Sequence, residues 1–306
     1  MSLVSTVKTV VNVVNNIDES RKIYEACLGL RCIGEAETSA AEIGKLWGVE
    51  NRDFRIARFA REGVDFGCVD LVENTAANKP IRENQRVFDF GIMTLNFRTN
   101  NIEKAIPMLE KAGCKPVSEI LEYNVGKPMR ELMFICPTGE RLTIIEVDGI
   151  KSDLPVFNEA IATVGLVVQK MFDAKLFYEN GLGLKTAISF QASGSPFDSL
   201  LGVKKLDKLD FATLTSVGNW TGKVELLELE TGEIPENTNE LADFSHTGYT
   251  FLTFLTENID AVVENCQKTG AEIIVEPKVF NRPFHTGKRA MIVRSLSGEY
   301  LEIIEK

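Results

Sequence analysis

The stretch YEACLGLR at residues 24–31 returns, 154 residues later, as YENGLGLK at residues 178–185. Two further stretches repeat in the same order, since LWGV and GERLTIIE in the first half return as LLGV and GEYLEIIE in the second half. Self-similarity at such a long and nearly constant offset indicates that one folding unit was duplicated. The chain of 306 residues is also long enough for two domains of ordinary size.

We therefore predict two related modules, an N-terminal one at residues 1–148 and a C-terminal one at residues 156–306. Glycine, serine and proline interrupt the pattern between them, near residues 148–157, which favours a linker there.

A weaker repeat lies within each half. A strand-like run, a two-residue turn, a helical apolar pattern and a closing glycine occur four times, near residues 9–29, 94–113, 163–181 and 251–270. In the first and last units, three strand-like runs follow the glycine. The pattern predicts an α+β fold of four βαβββ units. One such unit leaves an apolar sheet face uncovered, so we expect pairs of units to form two eight-stranded half-barrels, or cups. We expect the first and second units to form one cup, and the third and fourth units the other.

Composition excludes several kinds of partner. The net charge is −10, and lysine and arginine are scattered, so nucleic acid is not an expected partner. Apolar stretches are near strand length, so neither a membrane span nor a membrane partner is expected. The start of the sequence lacks the pattern of a secretory signal, and the six cysteines form neither CxxC pairs nor a duplicated framework. We therefore expect a cytoplasmic protein with free thiols.

The repeated pattern resembles the vicinal oxygen chelate superfamily, which includes glyoxalase I, bleomycin-resistance proteins, extradiol dioxygenases and several epimerases. The resemblance rests on IDES, IY and LGL within residues 17–30, on MFDA, FY and LGL within residues 171–184, and on the PTG and LSG turns before the last strand of each half. It covers nearly the whole chain and implies a ligand site inside a cup. It also implies that shorter relatives pair their cups as dimers, whereas tandem cups already provide that pairing. The oligomeric state is therefore open, with a homodimer among the alternatives.

Members of that superfamily hold a divalent metal on the first and last strands of paired units. The resemblance places the corresponding positions here at residues that include no histidine: Thr9, Asp70, Thr94 and Thr143 in the first half, and Thr163, Glu228, Phe251 and Glu302 in the second. Because imidazole is the commonest ligand for iron and zinc, we expect no bound metal and no other cofactor. The first half is then a degenerate site, and the second half keeps two carboxylates.

The two carboxylates of the second half are the predicted catalysts. Strand alternation places Glu228 and Glu302 inside one cup if the family register holds, and outside it if the register slips by one residue. Burial and mutual repulsion would raise the pKa of at least one of them, which suits proton transfer near neutral pH. The alternative is that each glutamate only hydrogen-bonds a threonine or a backbone group.

Further residues are predicted to surround this site. His285, in a loop between two strands, is the third candidate catalyst, with a surface or packing role as the alternative. Five residues are predicted to contact substrate, with ordinary packing as the alternative for the tryptophan: Thr163, Phe251, Tyr300, Arg282 and Trp47.

Two main functions remain open from sequence. The first is a metal-independent isomerase or lyase that acts on a small carbonyl or aromatic compound. The second is a protein that binds or sequesters a small molecule without chemistry, as bleomycin-resistance proteins do. A weakly bound divalent metal in an enzyme of the same superfamily is a third alternative.

Overall fold

The computed structural model describes residues 2–50, 52–77, 79–83, 86–124, 128–147, 160–216 and 218–306. The predicted linker near residues 148–157 lies outside these ranges. Four βαβββ-type units are present, and the predicted α+β class is confirmed. We call them unit 1 (residues 4–73), unit 2 (91–146), unit 3 (163–230) and unit 4 (248–305).

The first half contains nine strands and three α-helices in its described residues. Its strands are β1 (Val4–Val14), β2 (Arg31–Thr38), β3 (Phe54–Ala60), β4 (Cys68–Glu73), β5 (Gly91–Thr99), β6 (Lys115–Pro116), β7 (Leu121–Asn124), β8 (Pro128–Ile135) and β9 (Arg141–Glu146). Its helices are α1 (Ile17–Lys22), which continues as a π-helix over Ile23–Cys27, α2 (Ala40–Trp47) and α3 (Ile102–Lys111).

The described part of the second half contains eight strands and three α-helices. Its strands are β10 (Thr163–Val167), β11 (Lys185–Ala192), β12 (Lys208–Thr215), β13 (Lys223–Glu230), β14 (Gly248–Thr256), β15 (Glu272–Arg282), β16 (His285–Arg294) and β17 (Tyr300–Glu305). Its helices are α4 (Met171–Lys175), which continues as a π-helix over Leu176–Gly181, α5 (Phe197–Leu201) and α6 (Ile259–Thr269), with a 3₁₀ turn at Thr238–Leu241. The short helices α2 and α5 were not predicted from the pattern.

A glutamate near the end of the last strand of each unit stabilises the start of that unit's first helix. The carboxylates accept hydrogen bonds from the first backbone amide of the helix, at 2.6–3.2 Å. The four glutamates are Glu73, Glu146, Glu228 and Glu305. Each compensates an amide that has no partner within its helix and places negative charge at the positive end of the helix dipole.

The units pair differently from the expectation. One sheet has the order β15-β16-β17-β14-β1-β4-β3-β2, so it joins unit 1 to unit 4 through the antiparallel pair β1 and β14. The other has the order β11-β12-β13-β10-β5-β9-β8-β6, with β7 on β8, and joins unit 2 to unit 3 through β5 and β10. The prediction that units 1 and 2 share a cup, and units 3 and 4 another, is wrong. We call the two sheets cup 1–4 and cup 2–3.

The apolar core accounts for this architecture. The largest buried cluster contains residues from all four units and packs the helices against the outer sheet faces, with Leu28, Leu109, Phe177 and Cys266 among its members. Two smaller clusters belong to the inner faces, one in each cup. Any pairing of units covers the same sheet faces, so burial by itself does not select the partner of a unit.

The six cysteines are free thiols, as expected. Among the described residues, helices are too short or too polar to cross a membrane.

Candidate functional site

Cup 1–4 is occupied by its own side chains. Arg282, at the end of β15, is 1% exposed and lies between two carboxylates. Its Nη1 donates to Asp70 Oδ2 at 2.8 Å, and its Nε donates to Glu302 Oε2 at 3.2 Å. Arg58 adds a bidentate pair with Asp70, at 2.7 and 2.8 Å. Two guanidinium groups therefore neutralise two carboxylates within the cup.

The electrostatics of this network keep its acids ionised. Burial raises the pKa of Asp70, but Arg58 and Arg282 outweigh burial and lower that pKa to about 2. Burial also acts against ionisation of Glu302. The charge of Arg282 and the hydrogen bonds from Trp47 and other donors outweigh burial and hold the pKa of Glu302 below its ordinary value. A carboxylate held in this state is a poor proton acceptor near neutral pH.

The remaining residues of cup 1–4 fill it. Trp47 donates its indole N–H to Glu302 Oε1 at 3.0 Å and stacks on Phe244 at a centroid distance of 4.6 Å. Phe251 packs edge-on against Tyr300 at 6.1 Å. Six of the predicted site residues thus do lie together, in cup 1–4: Glu302, His285, Arg282, Trp47, Phe251 and Tyr300. They contact one another, as a packed interior does.

His285 belongs to the hairpin tip that enters this cup. Its Nε2 lies 3.2 Å from Arg58 Nη1, and the Phe284 ring stacks on the Arg58 guanidinium at 4.4 Å. Burial, reinforced by Arg282 and Arg58, lowers the pKa of His285 to about 3, so its neutral Nε2 accepts the Arg58 hydrogen bond.

Glu228 does not point into a cup. Its carboxylate accepts from the Met171 backbone amide at 2.6 Å and from Lys208 Nζ at 2.7 Å, on the helix-covered face of the sheet. The expectation that Glu228 and Glu302 share one cup is wrong, because they belong to different sheets. Glu228 occupies the helix-supporting position of the repeat, together with Glu73, Glu146 and Glu305. Three residues earlier in each unit, the corresponding inward positions are Asp70, Thr143, Glu225 and Glu302.

Cup 2–3 contains a cavity of about 160 Å³. Its walls are mainly apolar and aromatic, and a small group of polar side chains lies among them. Such a combination is typical of small-molecule sites. The polar group includes Glu131 on β8, Glu225 on β13, Tyr123 on β7, and Asn96 and Thr163 on β5 and β10. Of the residues predicted to contact substrate, Thr163 lies here.

The two glutamates of cup 2–3 have different hydrogen-bond partners. Tyr123 donates its hydroxyl to Glu131 Oε2 at 2.5 Å. Glu225 accepts from Asn96 Nδ2 at 3.2 Å and from Thr163 Oγ1 at 3.2 Å, and Asn96 also donates to Thr163 at 2.7 Å. Glu225 thus has two donors on its carboxylate, whereas Glu131 has one.

Burial changes the protonation of both glutamates. Burial and, to a smaller extent, the charge of Glu225 raise the pKa of Glu131 to about 7, although the hydrogen bond from Tyr123 acts in the opposite direction. Burial also raises the pKa of Glu225 to about 7, against the hydrogen bonds from Thr163 and Asn96. No arginine pairs with either carboxylate among the described contacts, in contrast to Asp70 and Glu302 in cup 1–4. The pair can therefore exchange protons near neutral pH.

Sequence reasoning missed Glu131 and Glu225. A signal for Glu225 existed, since aligning the four units on their helix-supporting glutamates places it at the inward position that Glu302 occupies in unit 4. Glu131 lies in the middle of β8, and the corresponding positions of the other three units hold no carboxylate. A comparison of the units therefore gave no signal for Glu131.

A tandem pair of βαβββ cups, each with inward polar residues, is the architecture of one class of small-molecule-binding proteins and enzymes. The chain belongs to the Glyoxalase/Bleomycin resistance protein/Dioxygenase superfamily, whose sequence profile matches residues 6–126 and 160–284. Among curated protein sequences, no relative matches this chain.

Solved structures show the same fold. Glyoxalase I from Zea mays is 16% identical, with a TM-score of 0.69, and the match covers 98% of this chain and 92% of that chain. A putative dioxygenase from Bacillus subtilis subsp. subtilis str. 168 is 14% identical, with a TM-score of 0.65, and the match covers 100% of this chain and 86% of that chain.

The residues of neither cup fit the metal that the superfamily implies. In cup 1–4, both carboxylates already bind guanidinium groups. In cup 2–3, Asn96 turns a donor rather than an acceptor toward Glu225, and Tyr123 does the same toward Glu131. Within the described ranges, no cluster of three histidine, cysteine, aspartate or glutamate side chains could hold an ion. Donor hydrogens directed at the carboxylates compete with a cation for the same oxygens.

Proposed function

We propose that the protein is a metal-independent isomerase or lyase that transfers a proton on a small carbonyl or aromatic compound held in cup 2–3. The observation that supports this most is the presence of two carboxyl groups, both with pKa values near 7, in one apolar cavity. The acid–base roles predicted for Glu302, Glu228 and His285 pass in this proposal to Glu225 and Glu131.

The environments of the two glutamates assign their roles. Glu225 receives two hydrogen bonds that stabilise its anion, so it loses its proton first and acts as the base. Glu131 then faces a negative neighbour and keeps its proton, so it acts as the acid. On a ketone, Glu225 removes the α-proton while Glu131 donates to the carbonyl oxygen, which forms an enol. Return of a proton to carbon completes an isomerisation or an exchange.

Phenylacetone in D₂O tests this proposal without knowledge of the natural substrate. We expect the protein to accelerate exchange of the benzylic protons, measured by loss of their ¹H NMR signal. Since general base catalysis contributes roughly 10²–10⁴-fold, Glu225→Gln should lower the rate at saturating ketone at least roughly a hundredfold. Glu230→Gln, on the exposed end of the same strand, is the matched control and should leave the rate unchanged. Equal rates for the wild type and Glu225→Gln would contradict the proposal.

Binding without chemistry is the second candidate. It is favoured by the mainly apolar cavity wall and by the Thr94 and Thr143 hydroxyls, which bond each other at 2.9 Å. In that case phenylacetone binds in cup 2–3, and its protons exchange no faster than in buffer.

A further inference from the structure

The space inside cup 2–3 suits a small ligand. At about 160 Å³, the cavity is close to the roughly 150 Å³ apolar cavity that holds a benzene molecule in an engineered protein. One six-membered ring with a short substituent therefore fills it.

The wall of the cavity favours a flat ring. Unit 3 contributes Phe190 and Phe211, which stack on each other at 4.6 Å with 23° between their planes, and Phe197, 5.9 Å from Phe190. Each of these rings is only partly buried, so aromatic surface remains for a ligand. Offset and edge-on contacts with aromatic rings stabilise a planar ligand beyond the gain from burial.

The opposite part of the lining is adaptable and apolar. Unit 2 contributes Met93, Met129 and Met133, whose thioethers make favourable contacts with ring edges. The cavity is thus lined by phenylalanine from one unit and methionine from the other, and both groups of side chains suit an unsaturated ring.

The charge of the lining disfavours an acid. Glu131 and Glu225 share the cavity, and a ligand carboxylate or phosphate would add a third acidic group at close range. The one cation in the described lining is Arg98, which already takes part in an interaction within the protein. Placing like charges together in a site of low polarity is unfavourable and works as a means of rejection.

From these observations we infer that the substrate is a single-ring aromatic or conjugated compound with a carbonyl or hydroxyl group and without a carboxylate or phosphate. This inference rests on the proposed function and defines its substrate class. The polar group lies at the glutamates, where it meets both a donor and an acceptor, and the ring lies between the phenylalanine and methionine walls.

Phenylacetone and phenylacetate test the inference, since they differ only in a methyl group replaced by a charged oxygen. We expect calorimetric titration at pH 8 to give phenylacetone binding at least roughly tenfold tighter than phenylacetate binding, because a like charge is disfavoured. In the double variant Glu131→Gln/Glu225→Gln the two affinities should lie within about threefold of each other, because the like charges that disfavour phenylacetate are gone. Glu230→Gln should change neither affinity.

Three results would overturn the inference: equal affinity for the two probes, an unchanged preference in the double variant, or no binding of phenylacetone at millimolar concentration. These outcomes differ from a failure of the proposed function. If phenylacetone binds selectively but its protons do not exchange, the substrate class stands as a ligand class and the catalytic role is wrong. If Glu225 drives exchange while phenylacetate binds equally well, catalysis stands and the inferred class is wrong.

Discussion

Replacement of Arg282 by methionine should strongly destabilise the protein. Methionine keeps most of the volume of the side chain, so the change removes mainly the charge and its hydrogen bonds. Arg282 is 1% exposed and neutralises two carboxylates that are themselves fully buried. Removing one partner of a buried ion pair leaves an uncompensated charge and costs about 3–5 kcal/mol. Asp70 keeps its pair with Arg58, whereas the remaining described partners of Glu302 are the neutral donors Trp47 and Thr253, so most of the cost arises at Glu302.

Urea denaturation followed by circular dichroism measures this loss. Arg289→Met is the matched control, because Arg289 pairs with the exposed Asp260 and surface pairs contribute only about 0–1 kcal/mol. Adding Glu302→Gln to Arg282→Met should recover part of the loss, since a neutral amide is less costly to bury than a carboxylate. A loss below about 1 kcal/mol for Arg282→Met, equal to that of the control, would refute the view that this guanidinium holds cup 1–4 together.

Three further predictions follow from the contacts of single residues. Because the pKa values of Glu131 and Glu225 are raised in the folded protein, both groups contribute stability below pH 4.5 that should be lost as the pH rises to about 7. The unfolding free energy of Glu131→Gln/Glu225→Gln should therefore depend less on pH than that of the wild type. An unchanged pH profile would contradict the assignment. Glu228→Gln should cost about 1 kcal/mol in unfolding free energy through the start of α4, while phenylacetone exchange stays at the wild-type rate; a loss of exchange would instead support a catalytic Glu228. His285, with a pKa lowered to about 3, should show no ¹H NMR titration between pH 5 and 8, and a midpoint near 6.5 would place it in solvent.

The sequence predicts much of the fold because the signals are local. Helix α6, for example, lies within the predicted unit at residues 251–270 and ends at Thr269, directly before the closing glycine of that unit. Its Asn258 cap accepts from the Ala261 amide at 3.0 Å, and Gly270 adopts the left-handed conformation with a φ of 85°. These contacts lie within a few residues of each other, so the sequence pattern contains them.

The pairing of units was not predictable by the same reasoning. Each unit presents a similar edge strand and a similar apolar face, and the choice of partner depends on contacts between strands far apart in sequence, such as Val11 with Phe251. The consequence for the site is large. Trp47 and Glu302 form a hydrogen bond although 255 residues separate them.

The orientation of single glutamates was predictable only in part. Glu302 faces the interior of a cup, as expected, whereas Glu228 supports a helix on the other side of its sheet. Both glutamates lie on alternating strands near the end of a unit, and a register error of one residue exchanges the two faces. The partner of Glu302 comes from a hairpin tip that no local pattern directs into the cup.

We propose that cup 2–3 takes the ligand, whereas cup 1–4 is filled by its own arginine network. Methyl-¹³C-methionine NMR with phenylacetone tests it most directly, with Met93, Met129 and Met133 reporting on cup 2–3 and the Trp47 indole N–H reporting on cup 1–4. We expect the three methyl signals to shift in proportion to bound ketone while the Trp47 signal stays in place. A shifted Trp47 signal with unchanged methionine signals would contradict it.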